Sequence, residues 1–501
     1  MKKTLLLLVG LVYAVGAFSY TPTPYNFHDY KVTHKRSTLP IKYDSRELNI
    51  TLAARDQGDT ETCWAYTACD VAQTLFHKNG TESGYLSAVT YTNCAKYLGF
   101  RDICISSGGN EGIATAMHCM LKAPVYLDTT GEIVEGENAC PDYSVKDIHA
   151  YILETSNLPK DDDVAIKEAV IAYGSVYASM RYIPANYNAR TNFYEFIGDE
   201  DEDVADHAVS IIGWDDNKGA WLVRNTWGAS WGDNGYFWVS YKDTEIDKRC
   251  VSYNNFVSTD KIDNVYTYSK SNATGSFGFN PNVPTSVLIA YEIEEGESIE
   301  YIGTHISNPN TRLTILVRGT NGEPEPFYIG EEETIKYPGM HLHKLTTPVV
   351  SKGDPFFIEM VFISNNSLSA PGEFINEKYN PSIVLQDNQW LFYQGEWTPV
   401  GKDAIMQELK CNIVAYVYTK KEESTDIEEN ETENKVSILT SGQINPEIWE
   451  TAIRINIFDI SGRNFGSLKP NEELPNLSNG YYILVVDHKD GSFTTERFNK
   501  F

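Results

Sequence analysis

The chain has 501 residues, 42% of them apolar, which is enough for roughly three domains with cores of their own and excludes a disordered chain. Its formal net charge of −28 repels nucleic-acid phosphates and anionic lipid alike, so no nucleic-acid partner is expected.

Residues 1–19 combine two lysines, the apolar run LLLLVGLVYAVGAF and small residues that permit cleavage after Ala17 or Ser19, the pattern of a secretory signal peptide. That run is too short to span a bilayer, and no later stretch reaches the ~18 apolar residues a spanning helix needs. Residues 20–38 form a short polar segment rich in Thr and Pro, after which LPIKYDSRELNIT opens a folded domain expected over residues 39–260. From Cys63 the apolar residues Trp64, Ala65, Ala68, Val71, Ala72, Leu75 and Phe76 recur at i+3 and i+4 until Asn79 and Gly80, which predicts a helix with Cys63 at its N-terminus. Further helices are predicted over residues 112–121 and 165–172. From Gly174 onward YASMRY, HAVSIIGW, AWLVRN and GYFWVSY read as strands.

Residues 265–419 alternate strand-like runs such as TSVLIAYEI, TRLTILVRG and DPFFIEMVFI with Asn, Gly and Pro turns, an all-β domain most simply arranged as a sandwich. Residues 420–435 form an acidic linker, with seven acidic side chains in KKEESTDIEENETE that no core could bury. Residues 436–501 hold two glycine-turned strand pairs, enough for a small β-domain.

Three segments carry the chemistry: DQGDTETCWAY around Cys63, DHAVSIIGWDD around His207 and WLVRNTWGASWGDNGY around Asn225. A cysteine nucleophile needs a base to take its proton and a third group to hold that base. The partial positive charge of a helix N-terminus and an adjacent imidazolium both favour the thiolate, so His207 is expected beside Cys63 as general acid and base. Asn225 would orient the ring, Trp227 would shield that hydrogen bond, and Gln57 would donate toward the oxyanion with the Cys63 backbone N–H. A cysteine merely buried under a tryptophan is the competing reading, and the register of His207, Asn225 and Gln57 argues against it.

These segments resemble the papain family of cysteine peptidases over about residues 39–256. His207 lies 144 positions after Cys63, inside the window of about 130–150 for that family, and Asn225 lies slightly beyond it. The resemblance implies an α+β catalytic domain of two lobes, helical around the cysteine and a β-barrel around the histidine, with no cofactor, no metal and a polypeptide substrate. It further implies that Gly108 and Gly109 offer backbone to a substrate strand, and Asp206 matches the residue that usually precedes the histidine. Cys94 and Cys140 look like one family disulfide. A second is absent from both ends, because Thr60, Glu61 and Thr62 precede Cys63 and Ser106 replaces the partner. The segment before residue 39 is too short to be the folded propeptide common in the family. Residues 265–419 are similar to the lectin-like β-domain that follows such catalytic domains in some bacterial proteins, which raises a carbohydrate or cell-surface ligand. INIFDISGR and LSNGYYILVV in residues 455–501 are similar to sorting domains read by the type IX secretion machinery, which implies a secreted product or one held on the outer surface of a Gram-negative cell.

Setting Cys63 aside, most of the other seven cysteines are expected to pair in an oxidising compartment, and at least one must stay free. No CxxC pair occurs, so a thiolate zinc site is not expected. The acidic runs at residues 161–163 and 199–203 read as solvated loops rather than calcium sites, and His341 and His343 as surface residues of a strand. Beside the secreted or surface-attached peptidase stand two alternatives: a catalytically silent or latent binding and adhesion protein that works through the lectin-like domain, and an acyl-transfer enzyme using the same residues.

Overall fold

The computed structural model describes residues 20–34, 38–81, 84–95, 98–100, 108–123, 150–199, 202, 204–319, 326–421, 439–440, 443–459, 464–470, 472, 474–475, 477, 480–489 and 493–500. The expected signal segment, Cys104, Ser106, Cys140 and most of the acidic linker lie outside these residues.

Helix α1 (Cys63–Lys78) is buried on every side along its first fourteen residues, as expected for a helix that is apolar nearly all round and sits between two packed layers. It stops where the sequence changes chemistry. Gly80 turns left-handed at φ 75°, and the Gly80 and Thr81 N–H groups donate to the His77 and Phe76 carbonyls at 3.0 Å each, closing the last turn. Helices α2 (Ala88–Ala95) and α3 (Glu111–Cys119) complete the helical lobe. Asn110 caps α3 by accepting from the Ile113 N–H at 3.0 Å, and Asp162 caps α4 (Asp163–Tyr173) the same way through Ala165.

The second lobe is a nine-stranded sheet made of β1 (Lys42–Asp44), β2 (Ala150–Asn157), β3 (Val176–Met180), β4 (Tyr187–Asn188), β5 (Phe193–Tyr194), β6 (His207–Asp215), β7 (Ala220–Arg224), β8 (Tyr236–Ser240) and β9 (Cys250–Ser258). Its path runs β2-β9-β3-β6-β7-β8-β5-β4, with β1 added on β6. Strands β3, β6 and β7 are buried at all but one residue, and they read as apolar runs because helices and loops cover both faces.

One buried interaction ties the lobes together. Asp70, two turns along α1 from Cys63, meets Arg224, the last residue of β7, at 3.0 Å with both side chains 1% exposed. Arg55 approaches the same carboxylate oxygen at 3.6 Å, and Arg224 also donates to the Ala53 carbonyl at 2.9 Å. Because Asn225 follows Arg224 directly, this pair fixes the separation between the helix that carries the cysteine and the strand end that carries the asparagine.

Residues 264–421 form a β-sandwich in which a four-stranded sheet (Asn264–Tyr266, Ala415–Lys421, Glu297–Ile306, Gly339–Val350) shares its core with a seven-stranded sheet centred on Thr285–Tyr291 and Phe356–Ile363. A three-stranded sheet (Gly275–Phe277, Ala370–Phe374, Cys411–Ile413) contributes to the same core. The sandwich packs on β2: the Asn157 N–H donates to the Pro338 carbonyl at 2.8 Å, the Met340 N–H to Thr155 Oγ1 at 3.2 Å, and Tyr418 to the Cys119 carbonyl at 3.1 Å. A shared apolar cluster that includes Tyr151, Leu153, Met340 and Tyr418 fills the joint. The C-terminal residues form a four-stranded antiparallel sheet (Asn464–Leu468, Ala452–Asp459, Gly480–His488, Phe493–Lys500) around Ile455, Ile457, Leu484 and Val486.

Several expectations need correction. Strands already occur before Gly174, in β1 and β2, and α2 carried no periodicity because Thr and Asn interrupt it. His341 and His343 are not surface residues. Glu333, on a neighbouring strand, accepts from both rings, and the Tyr328 hydroxyl meets the His343 ring nitrogen at 2.8 Å, so the pair is drawn inward. Among the described residues most cysteines form no disulfide: Cys63, Cys69, Cys119, Cys250 and Cys411 are buried thiols. The reason is distance, since Cys69, Cys119, Cys250 and Cys411 sit in four separate clusters and a disulfide requires Cα atoms within about 7 Å. Cys94 is disulfide-bonded, its partner lying outside the described residues.

Replacing Arg224 by Met should destabilise the catalytic lobes by about 3–5 kcal/mol, because Asp70 would keep its buried charge with only the more distant Arg55 beside it. Urea unfolding followed by tryptophan fluorescence measures this, and an unchanged midpoint would exclude the clamp.

Candidate active site

The three expected segments converge at the junction of the lobes. Cys63 is the first residue of α1, so its sulfur lies at the positive end of a sixteen-residue helix. The Ala208 N–H points at Cys63 Sγ at 3.3 Å, which seats the sulfur against the start of β6, next to His207. The His207 Nε2 shares a hydrogen bond of 2.7 Å with Asn225 Oδ1. With Nε2 engaged, Nδ1 is the ring nitrogen left for the sulfur. Asn225 is itself held, because its Oδ1 also accepts from the Thr226 N–H at 2.8 Å and its own N–H donates to the Gly235 carbonyl at 2.9 Å.

Trp227 stacks on His207 with ring centroids 4.7 Å apart and planes 22° from parallel. Behind it Tyr182 and Trp231 pack edge-on at 4.6 and 5.2 Å. Neither was singled out in the sequence. Their signal was present only as aromatic density in a strand-rich region.

Gln57 is fixed at both ends of its amide. Its Oε1 accepts from Thr226 Oγ1 at 2.6 Å and its Nε2 donates to the Thr60 carbonyl at 2.5 Å, leaving the second amide proton for another acceptor. Its backbone N–H donates to the Thr226 carbonyl at 2.8 Å, so Thr226, beside Asn225, holds Gln57 by two hydrogen bonds and Thr60 by a third.

Gly109 is buried against Trp64, and a Cβ there would lie 2.3 Å from the indole, so only glycine permits the approach. Its carbonyl accepts from the Thr21 N–H at 3.0 Å, while the Asp206 carbonyl accepts from the Tyr20 N–H at 3.1 Å. The short N-terminal segment, expected only as a polar leader, therefore lies in the cleft. Gly108 is half-buried beside it. The Asp206 carboxylate faces away, accepting from Arg181 and from the Tyr182 N–H at 2.5 and 2.8 Å.

Residues 39–258 match the family model described as papain family cysteine protease. This region is a papain-family cysteine peptidase domain. Thiol protease aleurain of Arabidopsis thaliana is 26% identical over 214 residues, covering 41% of this chain and 58% of aleurain's length. A cathepsin B-like cysteine proteinase 4 of Caenorhabditis elegans is 27% identical, covering 40% of this chain and 70% of its own length. The chain thus spans less than two thirds of the aleurain it matches. Among solved structures, the cysteine protease and lectin-like domains of Cwp84, a surface layer associated protein of Clostridium difficile, align with a TM-score of 0.67 at 17% identity. That alignment covers 81% of this chain and 93% of the other, so the likeness of fold extends past the papain-family domain into the sandwich.

Within the papain-family domain, burial pulls His207 from 6.5 down to about 4, opposed by its bond to Asn225. With the cleft filled, the ring is neutral at pH 7. Burial also pushes the Cys69 thiol up to about 11 and those of Cys119, Cys250 and Cys411 higher still, so none of these is a reactive thiolate at neutral pH.

His207 resists protonation in the fold, so the stability it contributes is complete above pH 6.5 and is lost as pH falls toward about 4. His28, His118 and His305, each drawn by burial to about 3, act in the same sense. Each ring withdraws up to about 1.4 kcal/mol per pH unit in that window. The expected result is a thermal midpoint that declines steadily between pH 6.5 and 4, and a flat profile by calorimetry would exclude the buried neutral rings.

Proposed function

We propose that this chain is an exported cysteine endopeptidase that hydrolyses polypeptides through a thioacyl-enzyme on Cys63. The observation that carries the reading is the chain of contacts from Cys63 Sγ at the start of α1, through the Ala208 N–H, to a His207 ring held by Asn225. His207 Nδ1 takes the thiol proton as sulfur attacks the substrate carbonyl carbon. The oxyanion is received by the Cys63 backbone N–H and the remaining Gln57 amide proton, and collapse expels the amine, which leaves with the proton from His207. A water molecule then attacks the thioester carbonyl, His207 accepts its proton, and the acid departs as the proton returns to sulfur. Asn225 keeps the ring in register, Trp227 excludes water from that bond, and the Gly108–Gly109 and Asp206 backbones align the substrate strand.

The domain organisation proposed with it is a signal peptide at residues 1–19, a short N-terminal segment at 20–38, the peptidase domain at 39–260, a lectin-like domain at 265–419, an acidic linker at 420–435 and a sorting-type domain at 436–501. The surface layer association of the Cwp84 fold relative supports a secreted or surface-attached product. Export by the type IX machinery and carbohydrate binding by the lectin-like domain rest on sequence resemblance. The latent binding protein stands as the second reading, favoured by one observation: Tyr20 and Thr21 occupy the backbone acceptors of Asp206 and Gly109.

Cys63→Ala should abolish hydrolysis of a denatured protein substrate with the unfolding midpoint unchanged within error. An epoxysuccinyl cysteine-protease inhibitor should form an adduct mapped to Cys63, slowed more than tenfold in Asn225→Ala and absent in His207→Ala. Hydrolysis retained by Cys63→Ala would sink the assignment.

A further inference from the structure

The side chain of Tyr20 fills a pocket beside the nucleophile. Its ring is fully buried, and its hydroxyl donates to Glu111 Oε2 at 2.7 Å. The main chain on either side is held by groups of the cleft: the Tyr20 N–H by the Asp206 carbonyl, the Thr21 N–H by Gly109, and the Thr21 carbonyl by Asn110 Nδ2 at 2.9 Å. Asp206 precedes His207 in the chain, and Gly109 rests on Trp64, the neighbour of Cys63. A side chain in this pocket therefore belongs to a residue close to the reacting sulfur.

The pocket is built for a phenol. Glu111 is 4% exposed at the start of α3. Its other oxygen lies 3.8 Å from Arg249, itself 6% exposed, so the carboxylate charge already faces a cation. A lysine or arginine entering from the cleft would add a second buried positive charge against one carboxylate. A phenylalanine would fill the volume and leave Oε2 without the donor that Tyr20 supplies. The buried Tyr177 phenol has no hydrogen-bond partner among the described residues, and Tyr20, Glu111 and Cys63 act on it electrostatically. Outward from Tyr20 a groove of about 590 Å³ opens past Arg181, Ile183 and Phe196, with room for more of an extended peptide.

We propose that this pocket selects a tyrosyl side chain in the substrate and that Glu111 sets the preference, an inference that rests on the peptidase reading and adds which side chain it recognises. Tyr20 is then the chain's own ligand for its specificity pocket. A site that hydrogen-bonds a hydroxyl rejects the analogue lacking it far more strongly than an apolar pocket rejects a missing methylene.

The test uses the full chain and fluorogenic peptides carrying Tyr, Phe, Leu or Arg at each of the three residues before the scissile bond. At one position kcat/KM for Tyr should exceed that for Phe by at least about tenfold, and Glu111→Met should bring the ratio close to one. A second readout stands apart from substrate and from the folding of that variant. Tyr20→Phe should speed iodoacetamide alkylation of Cys63 several-fold, because the internal ligand loses its anchor. Tyr and Phe peptides cleaved within twofold of each other at every position, or an alkylation rate unchanged in Tyr20→Phe, would overturn the pocket assignment. If the chain cleaves no peptide and its Cys63 takes no epoxysuccinyl label, the peptidase reading itself fails and the pocket assignment falls with it.

Discussion

The buried contact between Asp70 and Arg224 is the constraint on which the catalytic geometry depends. A cysteine on a helix and an asparagine at a strand end can cooperate through one imidazole only if helix and strand keep a fixed separation. The ion pair supplies that at 3.0 Å, in a setting from which water is excluded. Burial raises the Asp70 carboxyl above its ordinary range, while Arg224 and Arg55 pull it back. Such a pair contributes more to specificity of arrangement than to net stability, since two charges had to leave water to form it.

From that fixed frame the site is assembled mostly by backbone. Ala208 aims its N–H at the sulfur, Thr226 holds Gln57 by two hydrogen bonds, and Gly109 approaches Trp64 closely enough to present its carbonyl to a strand. Trp227, backed by Tyr182 and Trp231, then stacks on the His207 ring.

The N-terminal segment links this site to the sandwich. From Tyr20 in the cleft it runs past Arg249, which donates to Thr23 Oγ1 and the Tyr25 carbonyl, and reaches the seam where Phe27 packs on His305 of the sandwich with ring centroids 4.4 Å apart. His28 bonds the Leu158 carbonyl at 2.7 Å, and His34 meets Asp162, the cap of α4, at 2.7 Å. The acidic run at residues 161–163 is therefore a cap and a tether more than a solvated loop. Because the segment, the peptidase lobes and the sandwich share one buried seam, occupation of the cleft and docking of the sandwich are physically connected.

What the sequence by itself determined was local. The i+3 and i+4 apolar spacing after Cys63 specified α1 and its end at Asn79 and Gly80, because helix periodicity and a glycine stop need no partner to be read. The order of Cys63, His207 and Asn225 with their flanking residues pointed to a cysteine peptidase, since only certain residue types can exchange a proton with a thiol. What only the tertiary structure decided was burial and pairing between distant segments. Tyr20 lies in a Thr- and Pro-rich stretch with no periodicity, and its place is set by carbonyls of residues 109 and 206. Glu111 and Arg249 resemble ordinary surface charges until the fold encloses them together. His341 and His343 turned inward because Glu333 reached them, and the buried thiols stayed apart because separate cores received them. Each of these depends on which surfaces meet, and contact between separate segments leaves no trace in the periodicity of either.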